Sequence, residues 1–181
     1  MEYFKTVILK DGRKCVLRNG TEKDGKAMLD LFVLTHKQTD YLASYADECT
    51  FTAESESLFL KNKSESDDEI EIIAEIDGKA VGSAGISRIG VKEKIRHRAE
   101  FGISVDTEYQ HIGIGRALTR ACIECAKKAG YLQLELEVVS QNNKAIALYE
   151  SEGFTVYGKN PRGFLSRFTG WQELTAMRKE L

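Results

Sequence analysis

Proline is almost absent: Pro161 is the only one in 181 residues. With so few breaks, helices and strands can run long. No positive excess exists, with 26 lysines and arginines against 28 aspartates and glutamates. That balance offers no basic field for a phosphate backbone, so nucleic-acid binding is not expected. Apolar runs last only a few residues, far short of the roughly 20 needed to cross a bilayer, so no membrane association is expected. Met1-Glu2-Tyr3-Phe4-Lys5 lacks a basic region followed by an apolar stretch. No secretory signal is read there, and a cytoplasmic location is expected. Histidine is scarce at three, and cysteine numbers four. Cys122 and Cys125 form a Cys-x-x-Cys pair, but no second pair follows, whereas a zinc site needs four ligands at short spacings. No metal is expected, and the thiols read as small, buried, reduced apolar residues.

What is present suits one domain spanning 1–181. Hydrophobic residues make up 42% and charged ones 30%, enough to fill a core and solvate a surface. Residues 5–18 read as a hairpin about Lys10-Asp11-Gly12-Arg13. Thr21 opens a helix carrying Met28, Leu31, Phe32 and Leu34 on one side. Tyr41 to Thr52 is irregular. Thr52 then caps a second helix through Leu58 and Leu60, and the acidic run Ser64–Glu69 reads as a solvated loop. Strands follow at 70–76 and 80–86 about the turn Asp77-Gly78-Lys79, and at 99–105. A helix spans 113–129, ended by Gly130. A strand at 132–139 puts Leu132, Leu134, Leu136 and Val138 on one side. A helix at 143–152 stops at Gly153, and two last strands lie at 154–157 and 172–177. With the first hairpin counted as one unit, the order is β, α, α, β, β, β, α, β, α, β, β. That order fits a mixed sheet with helices on both faces.

The segment Gln110-His111-Ile112-Gly113-Ile114-Gly115-Arg116 joins a strand to a helix. The first N–H groups of a helix have no intrahelical partner, glycines permit close approach, and the helix dipole adds positive charge. Together these make a phosphate cradle. It is not a Walker loop, since Arg116 and Ala117 follow Gly115. Nor is it a dinucleotide fingerprint, since Leu118 stands where the third glycine belongs. The helix behind it places Ile114, Ala117, Leu118, Ala121, Cys122, Cys125, Ala126 and Ala129 on its sheet side. Thr119, Arg120, Glu124, Lys127 and Lys128 are expected to face solvent or the outer end of the ligand.

Gln110-x-x-Gly113-x-Gly115 after Ile103-Ser104-Val105 resembles the acetyl-coenzyme A loop of the GNAT superfamily of N-acetyltransferases. Downstream, Leu136-Glu137-Val138, Asn142-x-x-Ala145-x-x-Leu148-Tyr149 and Gly153-Phe154 resemble that family's second half. The nearest flavours are the bacterial ribosomal-protein-alanine and small-molecule amine acetyltransferases. The resemblance implies a seven-stranded, mostly antiparallel mixed sheet with helices on both faces. It also implies a splay between the fourth and fifth strands, at 99–105 and 132–139. Acetyl-CoA is the implied cofactor, held by a core at about 99–157. Ile103, Ser104 and Val105 would meet the pantetheine by main-chain contacts, as an added strand would. The pyrophosphate would sit on N–H groups of His111, Ile112, Gly113, Ile114, Gly115 and Arg116, beside Gln110, with Arg116 adding charge or serving only the helix surface. Asn142 and Ala145 would touch the cofactor arm, Asn142 also capping a helix.

Acetyl transfer to an amine needs two proton movements. An amine with a pKa near 10 is about one part in a thousand neutral at pH 7, a deficit of roughly 4 kcal/mol. Tyr149 matches the tyrosine that protonates the leaving sulfur in many members of the family. Glu137 resembles the base of the ribosomal alanine enzymes, and Glu135 shares its face. Glu100, on the neighbouring strand, is a rival, and water alone is the third choice. His111 serves phosphate through its N–H, and His36, read as following a helix, caps it.

The acceptor, a small amine or a protein N-terminus, would meet elements at about 22–63 and 158–172. Aromatic walls are offered by Tyr41, Tyr45, Phe164, Phe168 and Trp171, which core packing explains equally well. Phe164, Arg167, Gly170 and Trp171 resemble a pattern of the small-molecule members. Dimerisation is common for the fold, so a homodimer is open. A non-catalytic acetyl-CoA-binding or sensing protein is the alternative reading.

Overall fold

The computed structural model describes residues 1–181. β1 (Phe4–Ile8) and β2 (Lys14–Asn19) form the first hairpin. Two helices follow, α1 (Gly25–Gln38) and α2 (Ala53–Glu65). Next come β3 (Ile70–Ile76), β4 (Lys79–Arg88) and β5 (Arg98–Val105), then α3 (Ile114–Lys128), β6 (Gln133–Val139) and α4 (Asn143–Ser151). The hairpin of β7 (Thr155–Ser166) and β8 (Gly170–Glu180) closes the order. All strands join one sheet in the order β1-β2-β3-β4-β5-β6-β8-β7. The first hairpin, counted as one unit in the sequence, supplies two strands, which makes eight rather than seven.

The helix ends follow from local chemistry. The Thr52 side chain accepts the Ser55 N–H and starts α2. Gly130, at φ +82°, takes the left-handed conformation that ends α3. On one sheet face, Met28 and Leu31 of α1 and Leu60 of α2 pack on Ile73. The other face receives α3, where Leu118, Cys122, Cys125 and Ala126 are buried. Thr119 is buried as well, contrary to expectation, because its hydroxyl donates to the Gly115 carbonyl at 2.8 Å instead of meeting water. Cys15, Cys122 and Cys125 are free and buried, while Cys49 is only half-buried.

Two loops read from the sequence are shorter in the structure. The acidic run begins inside α2, which extends to Glu65. Asp68 and Glu69 are then occupied by the Arg88 guanidinium at 2.9 and 3.2 Å. The connection 159–171 is mostly strand. β7 runs to Ser166, and its register on β8 shifts between Asn160 and Phe164. Pro161 sits in that bulge on an edge strand, where its missing N–H costs no ladder bond. The bulge hides the alternation from the sequence.

The sheet is antiparallel except between β5 and β6. Those two pair only at Arg98↔Gln133, Ala99↔Leu134 and Glu100↔Glu135. Beyond these positions they diverge, and β6 continues against β8 as far as Val139↔Leu174. The expected splay is therefore present, and it opens the sheet at the carboxyl ends of its central strands.

Candidate active site

A cavity of about 860 Å³ fills the splay and continues along the start of α3. Ile103, Ser104 and Val105 line one wall through the diverging edge of β5. Gln110, His111, Gly113, Gly115 and Arg116 line the outer end. Asn142, Ala145, Tyr149 and Glu137 form the opposite wall. Ile114 turns its side chain into the core, and Ile112 packs against it, so these two can serve a ligand only through their backbone.

The loop is shaped to leave its N–H groups free. Gly113 has φ +109° and precedes the first helical residue, and His111 has φ +67°. At Gly115 a side chain would press on Leu148 Cδ2 at 3.3 Å. The backbone N–H groups of His111, Ile112, Gly113, Ile114, Gly115 and Arg116 donate to no carbonyl or side chain, whereas Ala117 N–H already reaches Gly113 O at 3.0 Å. Six consecutive unpaired donors at a helix N-terminus suit a diphosphate. The Gln110 side chain instead donates to the Val105 carbonyl at 3.1 Å and fixes the exit of β5.

The sequence profile described as the acetyltransferase (GNAT) family matches residues 33–154. The chain belongs to that family. It is 52% identical over 54 residues to the [ribosomal protein bS18]-alanine N-acetyltransferase of Escherichia coli K12, covering 30% of this chain and 36% of that one. It is 35% identical over 89 residues to the L-amino acid N-acetyltransferase AaaT of the same organism, covering 49% and 54%. The chain thus spans about a third to a half of the length of these curated relatives. A GNAT-family acetyltransferase structure from Streptococcus pneumoniae superposes with a TM-score of 0.88 at 26% identity, covering 92% of this chain and 99% of that one.

GNAT proteins use acetyl-CoA, and the free N–H groups and the open strand edges fit its diphosphate and its amide-bearing arm. Tyr149 of this GNAT chain is 7% exposed and packs edge-to-face on Phe101, with centroids 6.0 Å apart. Burial pushes its hydroxyl up to about 12, so it stays protonated. Asn142 accepts the Ala145 N–H at 3.3 Å and caps α4. The Arg116 side chain pairs with Glu152 at 3.1 Å and donates to Ser151, tying α3 to α4.

The carboxylates separate. Glu137 is exposed to the main cavity. Glu135 is buried and taken by the Arg98 guanidinium, with Tyr157 and Gln133 as further donors, and the arginine holds it below the usual carboxylate range. Glu100 lies outside the main cavity, in a separate one of about 280 Å³ floored by Gly85 and Gly102 and walled by Lys63 and Glu71. Lys63 donates there to the Ile86 carbonyl at 2.8 Å, and burial pushes Glu71 up to about 7.

His36 lies within the last turn of α1 rather than after it. Its Nδ1 is 2.7 Å from the Phe32 carbonyl, its ring stacks on Phe32, and burial keeps it neutral. Of the expected aromatic walls, only Tyr41 reaches the main cavity. Tyr45 packs edge-on against Phe168, and Trp171 lies under the Arg162 guanidinium. Thr35, Gln38, Thr39 and Leu42 also line the cavity; they fall within the acceptor-side stretch at about 22–63, though the sequence reading singled out none of them. Thr35 and Gln38 lie in the last turn of α1, and Thr39 and Leu42 just after it, where no local pattern marks them.

Proposed function

We propose that the protein transfers the acetyl group of acetyl-CoA to a primary amine by direct attack. The observation that carries this reading is the run of six free N–H groups, His111 to Arg116, opening into the β5–β6 splay. When bound, acetyl-CoA supplies an activated acetyl thioester. The free N–H groups bind the diphosphate, and the unpaired edge of Ile103–Val105 orients the arm. Glu137, facing the same cavity, takes the proton of the acceptor ammonium. Tyr149, kept protonated by burial, delivers a proton to the leaving sulfur. Glu100 is the alternative base, from its own cavity on the same sheet face. Cytoplasmic location belongs to the same proposal and is supported by four cysteines that form no disulfide.

The test is thermal unfolding with acetyl-CoA, with NAD as control, followed by coenzyme A release with amines. Ligand at 100 times its Kd adds about 2.7 kcal/mol, a rise of several degrees. A rise with acetyl-CoA alone, followed by amine-dependent release, is expected. No rise overturns the reading. A rise without release from any amine leaves a binding protein rather than an enzyme.

A further inference from the structure

The last residue of α1 and the segment after it bridge the mouth of the splay on the face that carries Glu137. Gln38 anchors one end. Its side-chain carbonyl accepts the Thr107 N–H at 3.0 Å, and its amide donates to the buried Asp106 at 2.9 Å. Both partners directly follow β5. Two residues later, Asp40 anchors the other end. Its carboxylate accepts from the Ser166 hydroxyl at 2.6 Å, the Gln172 amide at 2.9 Å and the Thr169 hydroxyl at 3.2 Å. Those donors belong to the tip of the β7–β8 hairpin. Gln172 lies two residues before Leu174, the β8 partner of the last residue of β6. Residues 38–40 therefore run from the end of β5, past the end of β6, to β8.

A second tie reinforces the first. The Tyr45 hydroxyl accepts the Arg167 N–H at 2.7 Å, the Arg167 guanidinium lies 4.2 Å from the Tyr45 ring centroid, and Arg167 pairs with Asp47 at 2.7 Å. Between the two ties, Tyr41 and Leu42 line the cavity opposite Glu137. Ser166 and Gln172 are buried, so opening the strap costs each of them its bond to Asp40.

We infer that this strap roofs the acceptor side and restricts the acceptor to a small free amine, excluding the amino terminus of a protein. The inference rests on the acetyl-transfer reading above. A protein terminus must lay several residues of extended chain through the mouth, and that path is crossed by a segment tied at both ends. A small amine needs no such path. Gln38 and Asp40 are positioning residues here, since they hold Tyr41 and Leu42 and touch no reacting atom.

The experiment measures coenzyme A release with saturating acetyl-CoA. It compares a panel of small primary amines, amino acids included, with peptides beginning with alanine. For the unmodified protein, kcat/KM for the best small amine is expected to exceed that for any peptide at least 100-fold. Asp40→Ala is expected to raise the small-amine KM at least tenfold and to narrow the ratio at least tenfold. Its kcat stays within threefold, and its acetyl-CoA thermal shift is retained. Arg167→Ala, at an exposed position, is expected to act in the same direction more weakly and carries the test if Asp40→Ala does not fold. Peptides used as well as small amines by the unmodified protein overturn the inference. So does an unchanged ratio in the folded variants. Release with no acceptor of either kind overturns the acetyl-transfer reading, and this inference with it.

Discussion

The loop from Gln110 to Arg116 and the strap from Gln38 to Glu48 border the same cavity but are held by different means. The loop is set by backbone, through a left-handed glycine at Gly113 and a helix start that leaves N–H groups free. Its shape depends on a handful of adjacent residues. The strap is set by side chains whose partners stand 68 to 132 positions away. A device of the first kind keeps its ligand while the second kind is rebuilt around it. The two walls are therefore expected to fail separately, the loop losing cofactor and the strap losing acceptor.

The largest effect that sharpens this division is expected at Tyr149, which stands between the walls. Tyr149→Phe keeps the buried ring and removes the proton. A fall in kcat of about 1,000-fold, mid-range for general acid catalysis, is expected with the acetyl-CoA thermal shift intact. Loss of the thermal shift would move Tyr149 to the cofactor side. Next comes Glu137→Gln, for which a drop of about 300-fold in kcat/KM and loss of the acidic limb of the pH profile are expected. Glu100→Gln, in its separate cavity, is expected to stay within about threefold, and the reverse ranking would exchange the two carboxylates.

Glu71 gives the acceptor face a pH dependence. Its folded pKa of about 7 lies above the ordinary 4.5 because burial disfavours the carboxylate. The folded state therefore binds the proton more tightly, and stability falls as pH rises from about 4.5 to about 7, by at most about 3 kcal/mol. Glu71→Gln removes that fall. Its Tm should exceed that of the unmodified protein at pH 8 and converge with it at pH 4.5. Equal Tm values at pH 8 would show that the carboxylate is solvated. A smaller effect than that of either Tyr149 or Glu137 is expected at Gly113→Ala. No atom lies within 4 Å of a Cβ there, so the cost is the positive φ alone, about 1–2 kcal/mol. An acetyl-CoA titration should show affinity weakened about tenfold with amine KM unchanged.

The same contrast decides what could be read from the sequence. Gln110-x-x-Gly113-x-Gly115, the amphipathic α3 and the Asn142 cap of α4 are local devices, and they lie where the sequence placed them. The strap was illegible because Asp40 finds Ser166, Thr169 and Gln172 only after folding. The long β7–β8 hairpin was hidden by the bulge at Pro161, which interrupts the period of two. Alternation puts Glu135 and Glu137 on one sheet face, and the pairing of Glu100 with Glu135 adds Glu100 to it. Alternation says nothing of the divergence of β5 from β6, which sends Glu100 and Glu137 into different cavities.

The thiols turn the strap into something that can be watched. Burial raises Cys15 and Cys125 to about 11 and also pushes Cys122 well above its ordinary value, so these three resist alkylation. Cys49, half-buried, closes the short helical turn Ala46–Glu48 beside Asp47, the partner of Arg167. A maleimide dye added to the folded protein would therefore label one position, next to the second tie. Its fluorescence would report whether the strap holds its place, without any engineered cysteine.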